Sequence, residues 1–567
     1  MRERGDSTVD LKVYLMDQNA YPTLSVSVDK LFWKLRGKSV SHVYRYTSVG
    51  QAFQKWKDCI SSETPSEEMD PSVGGNNGIQ AWRRWRDRAH SLWSILEGRA
   101  LLWEEIIALL EYRWGACPEE GQLRDWLQIL CLTGKARLFP GVHTPAAFAW
   151  RKCHRCGGGP GGLTATPCQR CGQYCVLCNH CVQMGKSRTC SGFFLFQPIK
   201  SEREIKEVEL VSPSLTSAQQ EASDHCIRLL QGRDRNLLVW AVTGSGKTEM
   251  LFAALRFVLQ RGGRVLWASP RRDVVVEMGK RLKKAFPDTV TAVLHRNSGQ
   301  TWQHADLVIA TVHQAIRYHN RFQLAVLDEA DAYPLTMEES DLSRYIDRAL
   351  HPEGKYIRVT ATPPATWRRQ VKEGRFPAVT LPVRYHGLPL PEPQIKRVWG
   401  LWKKITAGKA VPSLAAFLRQ VKEWEGQALL FVPRIRDAER LLKWLCGSYP
   451  DECHRIAAVT GGDENRGLRV EQFRNNQLTV LITTTILERG ITVPKCHVGV
   501  VGADHPVFDK AALIQIAGRV GRSADYRLGQ VWFFSGERTE GQRQALLEIR
   551  QLNRMAANKG YLAEEKG

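Results

Sequence analysis

From Val211 onward, short and largely apolar runs alternate with amphipathic stretches. Leu237–Trp240 runs into a glycine-rich turn, and Arg264–Ser269, Asp306–Thr311, Leu324–Leu327 and Tyr356–Thr360 are each followed by polar or charged residues. Runs of that length without alternation read as strands buried on both faces, with crossover helices between them. A second series (Gln427–Val432, Arg455–Thr460, Thr479–Thr483, His497–Val501 and Gln530–Phe534) follows Pro389-Leu390-Pro391-Glu392-Pro393, a stiff linker. The expectation is α/β: two parallel sheets in tandem, over 196–385 and 394–567. Upstream the period changes. Trp82, Trp85, Leu92, Trp93, Leu96, Leu101, Trp103, Ile106, Ile107 and Leu110 recur at helical spacing, which predicts a mainly helical region within 1–150. Leu101–Leu110 carries Glu104 and Glu105 in its middle and reads as an amphipathic helix. Ser61–Asn77 is rich in Ser, Glu, Pro, Gly and Asn and reads as a loop or linker. In Trp82–Arg88 the tryptophans read as core anchors and the arginines as a solvated face, in preference to a base-stacking surface.

The first candidate chemistry sits at the end of the first of these strands. Ala241-Val242-Thr243-Gly244-Ser245-Gly246-Lys247-Thr248 is a glycine-rich turn ending in Lys-Thr. Its backbone N–H groups can curl around phosphates, Lys247 supplies a point charge, and Thr248 offers a hydroxyl to Mg²⁺. The strict template has glycine where this chain has Ala241. Upstream, Gln219 is placed to reach a purine edge. Downstream, Leu324–Leu327 delivers Asp328 and Glu329 to the end of the sheet. Asp328 would hold Mg²⁺, and Glu329 would orient or deprotonate the attacking water. In the second series, Gln515-Ile516-Ala517-Gly518-Arg519-Val520-Gly521-Arg522 offers Arg519 and Arg522 as fingers for a triphosphate held by the other unit.

Of fifteen cysteines, eight lie between Cys153 and Cys190. Cys153-His154-Arg155-Cys156-Gly157 and Cys168-Gln169-Arg170-Cys171-Gly172 are two tight turns of one form. Together they can give four thiolates to one tetrahedral Zn²⁺. Cys175, Cys178, Cys181 and Cys190 can form a second site or exchange ligands with the first. A zinc-held module over 151–195 follows, because so short a segment has little core of its own.

Composition narrows the partners. Net charge is +22 over 567 residues, with Lys and Arg at 80 against 58 acidic residues. Such an excess favours nucleic acid or an anionic membrane surface. Met1–Asp6 is polar, no apolar signal core follows it, and no uninterrupted apolar run is long enough to span a bilayer. A cytoplasmic protein is expected, with room for peripheral contact at the inner face of a membrane.

In this order, Thr216–Gln219, Ala241–Thr248, Ser269-Pro270-Arg271, Thr311-Val312-His313-Gln314, Asp328–Asp331, Thr360-Ala361-Thr362, Thr483–Gly490 and Gln515–Arg522 resemble the motifs of a superfamily 2 helicase motor. Although Asp-Glu-Ala-Asp is present, Ser269–Val274 and Thr360–Pro364 depart from the DEAD-box RNA helicase pattern and are closer to DNA-directed motors of the PriA and RecG kind. The cysteines precede the first lobe, whereas PriA carries them within the second. A cysteine-rich module ahead of such a motor is similar to the ComFA family of late-competence ATPases, over about 150–540. The resemblance implies two RecA-like lobes with ATP between them. It also implies contacts to a DNA backbone from Pro270, Arg271, Thr311, His313, Thr484 and Thr485. The implied function is ATP-driven uptake of single-stranded DNA at the ComEC channel, with ComFC and DprA as partners. The alternatives are a PriA-like replication-restart or repair helicase, and a scaffold with a degenerate nucleotide site.

Overall fold

The computed structural model describes residues 11–16, 19–46, 49–50, 52, 76–144, 151–199, 205–296, 298–332, 341–485, 495–521 and 529–563. Packing divides the chain into two compact units. One comprises Met1–Leu210, Leu255–Leu327 and Ala332–Tyr356; the other comprises Val211–Ala254, Asp328–Asp331 and Ile357–Gly567.

At the start of the first unit, β1 (Leu11–Met16), β2 (Asn19–Thr23) and β3 (Ser41–Tyr46) form an antiparallel sheet in the order β2-β1-β3. Helices Val26–Lys34, Asn76–Leu96, Trp103–Trp114 and Glu120–Leu132 accompany it. The helical prediction holds, and Trp82, Leu92, Leu96, Trp103, Ile106 and Leu110 share one core with Phe32 and Phe194. Arg83, Arg84, Arg86 and Arg88 are exposed, as expected for a solvated face. Of the foreseen linker, 61–75 lies outside the described residues, while Asn76 and Asn77 open a helix.

β4 (Ala100–Leu102) and β5 (Ala136–Pro140) come next. The cysteine-rich stretch then folds as β6 (Val142–His143), β7 (Lys152–Cys153) and a hairpin of β8 (Leu163–Cys168) and β9 (Gln173–Cys178). After the last cysteine, β10 (Gly192–Phe196) inserts between β4 and β5, antiparallel to both. The cysteine module is therefore an excursion between β5 and β10 of a sheet that begins in the helical region.

The expected tandem of parallel sheets is present. The first lobe has β11 (Asn236–Ala241), β12 (Val265–Ser269), β13 (Thr291–Leu294), β14 (Leu307–Thr311), β15 (Phe322–Asp328), β16 (Leu350–Thr360) and β17 (Ala378–Leu381). Their order is β13-β14-β12-β15-β16-β11-β17. The second lobe has β18 (Gln394–Arg397), β19 (Gln427–Phe431), β20 (Ile456–Val459), β21 (Val480–Thr483), β22 (Cys496–Val501) and β23 (Val531–Ser535), in the order β18-β23-β22-β19-β21-β20 and parallel throughout. Central strands such as β12, β19 and β22 are buried at every position, which is why they read as unbroken apolar runs. In such sheets the loops at the carboxyl ends of the strands carry the ligand site. Among the described residues no helix is long and apolar enough to cross a membrane.

Candidate nucleotide site and metal centres

The phosphate loop leaves β11 at Ala241. Gly244 and Gly246 have φ of 80° and 73°, the left-handed region that glycine tolerates at no steric cost. Gln219 buttresses the loop from the helix Ser217–Gln231, whose first turn is a capping box with Thr216. The Gln219 side-chain oxygen accepts from the Thr216 N–H at 2.9 Å, and its NH₂ donates to the Ser245 carbonyl at 2.8 Å. A Cβ on Gly246 would fall 2.2 Å from that NH₂ group. Gln219 was expected at a purine edge; here it is bonded to the loop itself. Thr243, Ser245 and Thr248 are buried, Lys247 is half-buried, and Ser245 Oγ has no hydrogen-bond partner among the described residues. A buried hydroxyl without a partner, in a loop with left-handed glycines, fits an anion with acceptor oxygens.

Asp328 ends β15 and is buried, and its carboxylate accepts from the Glu329 N–H at 2.9 Å. Glu329 adopts φ 52°, left-handed backbone that non-glycine residues seldom hold and that Asn320, Glu425 and Asn476 share among the described residues. Asp331, in the same motif, accepts from Thr360 Oγ1 and Thr362 Oγ1, each at 2.7 Å. Thr362 Oγ1 in turn accepts from Gln515 Nε2 at 3.3 Å. A chain of side chains thus joins the acidic motif to the helix Lys510–Ala517 of the second lobe.

That helix ends against the phosphate loop. A Cβ on Gly518 would lie 1.7 Å from Thr243 Oγ1, so only glycine allows this approach. Arg519 is buried next to it. Arg522 lies outside the described residues. The Tyr385 N–H donates to the Gly244 carbonyl at 3.0 Å, and Arg384 donates to the Gly521 carbonyl at 2.9 Å. All these groups belong to the second compact unit.

The six residues foreseen at a DNA backbone lie at strand ends or just beyond them. Pro270 and Arg271 follow β12, and Thr311 ends β14 with His313 beyond it. β12 and β14 are parallel neighbours with Ser269 opposite Thr311, which puts these two segments at one end of the first unit's strands. His313 is exposed; Pro270, Arg271 and Thr311 are half-buried. Thr484 and Thr485, also half-buried, follow β21 in the second unit, and 486–490 of that motif lie outside the described residues.

The eight cysteines form two sets, but not as expected from spacing. Cys153 and Cys156 do not join Cys168 and Cys171. They join Cys178 and Cys181, while Cys168 and Cys171 join Cys175 and Cys190. The hairpin register is the reason. Cys168 pairs opposite Gln173 at the tip, whereas Cys178 pairs opposite Leu163 at the base, about 16 Å away along a strand. None of the eight is in a disulfide. Cys153 and Cys181 sulfurs are 3.8 Å apart, Cys156 and Cys178 3.4 Å, Cys168 and Cys190 3.8 Å, and Cys171 and Cys175 3.2 Å. Four thiolates around one Zn²⁺ at ~2.3 Å have sulfurs about 3.8 Å apart, so each set could close a tetrahedral site.

Several charged groups went unnoticed in the sequence. Glu97 is buried and receives Arg264 at 2.6 Å, Arg321 at 3.1 Å and His304 at 3.1 Å. Burial opposes its ionisation, but the His304 hydrogen bond and the two guanidinium charges outweigh burial and hold the carboxyl well below the usual range. Glu105 is buried and receives both Arg155 and Arg317. The clue was available, since a carboxylate inside the apolar run Leu101–Leu110 either faces solvent or has a partner. Glu104 is the exposed one and Glu105 the buried one.

Three family models match the chain. "Competence protein ComFA N-terminal domain" covers 86–195, "DEAD/DEAH box helicase" covers 216–370, and "Helicase conserved C-terminal domain" covers 411–524. The departures at Ser269–Val274 and Thr360–Pro364 do not take the first lobe outside the DEAD/DEAH box model. The chain is 36% identical over 386 residues to competence protein ComFA of Bacillus subtilis, covering 67% of this chain and 81% of that protein. It is 33% identical over 401 residues to ComFA of Streptococcus pneumoniae, covering 69% and 90%. Replication restart protein PriA of Helicobacter pylori is 26% identical over 261 residues, covering 44% and 40%.

Proposed function

Because the chain belongs to the ComFA family of competence proteins and is a superfamily 2 helicase-type ATPase, we propose that it hydrolyses ATP to move along single-stranded DNA, drawing transforming strands into the cell. The observation that carries this reading is the direct seating of Gly518 on Thr243, reinforced by Gln515 bonding to Thr362. A change at the phosphates is felt at once by the second lobe.

In this reading Lys247 and the loop N–H groups bind the β- and γ-phosphates, and Glu329 orients the attacking water and accepts its proton. Arg519, and Arg522 beyond it, offset the negative charge that builds on the transferred phosphoryl group. Thr248 and Asp328 are hard oxygen donors that suit Mg²⁺, which when bound would neutralise charge on the same phosphates. Pro270, Arg271, Thr311, His313, Thr484 and Thr485 grip backbone phosphates and sugars, which position the motor without reading sequence. Each of the two cysteine sets holds Zn²⁺. ComEC, ComFC and DprA are the proposed partners, with the protein working in the cytoplasm at the inner face of the membrane.

An ATPase assay with and without single-stranded DNA, run beside a forked-duplex displacement assay, tests this. Stimulation by single strands with little unwinding is expected. Unwinding of forks without stimulation by single strands would favour a restart helicase.

A further inference from the structure

The two cysteine turns share a residue that spacing alone does not explain: arginine in the third position, Arg155 in Cys153–Cys156 and Arg170 in Cys168–Cys171. Each arginine docks on one of two adjacent carboxylates at the start of the helix Trp103–Trp114. Arg170 bonds to Glu104, and Arg155 bonds to Glu105 at 2.6 Å. The two pairs differ in depth. The Glu104 side chain is 45% exposed, whereas the Arg155 side chain is fully buried and Glu105 nearly so.

They also differ in what lies beyond. Arg155 donates to the carbonyls of Met184 and Gly185, just after Cys181, and so ties both halves of the first cysteine set together. The same Glu105 oxygen that accepts from Arg155 accepts from Arg317 Nε at 2.8 Å. Arg317 closes the 3₁₀ segment Val312–Arg317 and donates to Gln314 at 2.6 Å. That segment carries His313 and follows Thr311. A second link runs in parallel: Arg348 donates to the carbonyls of Arg155 and His154 and, at 2.5 Å, to that of Ile316. All these residues belong to one compact unit.

We propose that Glu105 is a positioning residue that transmits the order of the first cysteine site to the nucleic-acid segment Thr311–Gln314. The proposal rests on the DNA-motor reading above. Ligands of a bound metal fix the backbone of both turns, and with it the Arg155 guanidinium and the carbonyls that Arg348 holds. Loss of metal frees Arg155 and leaves the Glu105 carboxylate anchored by the Leu102 N–H on its other oxygen, so the oxygen that Arg317 shares loses one of its two donors and the segment loosens. Nucleotide binding is untouched, because the phosphate loop takes no part in this relay. Glu104 performs the same docking for the second turn, with no hydrogen bond or ion pair to the segment among the described residues.

The test compares Glu105→Gln with Glu104→Gln, with Arg317→Met as a third variant whose substitution lies outside the cysteine module. Zinc content and ATP affinity are measured first. Hydrogen exchange over 312–319 is then followed with and without a zinc chelator, alongside the oligonucleotide concentration giving half-maximal ATPase stimulation. In the wild type, chelation should speed exchange over this segment. In Glu105→Gln and Arg317→Met exchange should already be fast and insensitive to chelation. The half-maximal DNA concentration should rise roughly tenfold in these two, as for loss of one charged hydrogen bond, with kcat unchanged. Glu104→Gln should match the wild type in both readouts. Exchange unaffected by chelation in the wild type, or equal effects of Glu104→Gln and Glu105→Gln, would overturn the relay. If Glu105→Gln loses its zinc, Arg317→Met decides by the same criteria. A wild type that binds no single-stranded DNA would remove the motor reading, and the exchange measurement would still judge the relay by itself.

Discussion

Replacing Gly518 by alanine adds one methyl group at the closest contact of the nucleotide site. The new Cβ would lie 1.7 Å from Thr243 Oγ1, 2.6 Å from its Cβ and 2.9 Å from its Cγ2. Rotating the threonine moves the hydroxyl but leaves the Cβ contact, which is still well inside the 3.4 Å where ordinary contact begins. The two segments must therefore separate, by up to about 1.7 Å if the threonine does not rotate. A misplacement of ~1 Å in a reacting geometry costs about 100-fold in rate, or ~3 kcal/mol of barrier. The backbone itself accepts alanine, because Gly518 has φ −66° and ψ −2°, ordinary helical values. Overpacking at this buried contact should lower stability by no more than about 1–3 kcal/mol, so the chain still folds. The assay is steady-state ATP turnover with saturating single-stranded DNA, with melting temperature and nucleotide affinity as controls. Gly467→Ala, where nothing lies within 4 Å of the added methyl, is the matched variant. Expected are a kcat lower by about 100-fold for Gly518→Ala, ATP affinity within about threefold, and normal turnover for Gly467→Ala. Full turnover by a folded Gly518→Ala chain would refute the claim that this approach assembles the site.

Metal analysis should find two zinc equivalents, with Cys156→Ser/Cys178→Ser keeping one and Cys156→Ser/Cys168→Ser keeping none. Equal retention by both double variants would reject the interleaved pairing. Glu97→Ala takes the carboxylate from buried Arg321 and leaves Arg264 with Asp306 at 3.5 Å, and should cost about 3–5 kcal/mol in denaturant unfolding of the first unit. Since the Glu97 carboxyl is held below its ordinary range, its contribution is present above pH 4.5 and is lost as the pH falls. Asp29 has the opposite sign. Burial pushes its carboxyl up to about 7, against hydrogen bonds from Thr23, Gln128 and Tyr14. Its contribution is therefore full below pH 3.8 and is lost as the pH rises through 7, a slope that should vanish in Asp29→Asn when unfolding is followed across that range.

The two lobes were legible because parallel strands covered on both faces leave continuous apolar runs. Every run read as a strand is one, from β11 to β23. β18, Gln394-Ile395-Lys396-Arg397, was not legible, since an edge strand bonded only to β23 has no need of an apolar face. The place of Asp328 at the carboxyl end of its strand was legible from strand-end logic. What Gln219 bonds to and how closely Gly518 approaches depend on tertiary placement that no local pattern encodes. The cysteine pairing failed for a related reason. Two identical turns suggest one site, yet the hairpin register carries the second turn away from the first. Arg155 looked like a spacer between ligands, and Glu105 like one carboxylate of an amphipathic helix. Their meaning lies in partners 50 and 212 positions away in the chain.

The central claim is directed movement on a single strand driven by the site around Lys247. Displacement of streptavidin from end-biotinylated single-stranded DNA tests it most directly, with biotin at either end and with Lys247→Ala in parallel. ATP-dependent displacement from one end only is expected, abolished in Lys247→Ala while that variant still binds the strand. ATP-dependent unwinding of forked duplexes with no displacement from either end, or displacement that survives in Lys247→Ala, would contradict it.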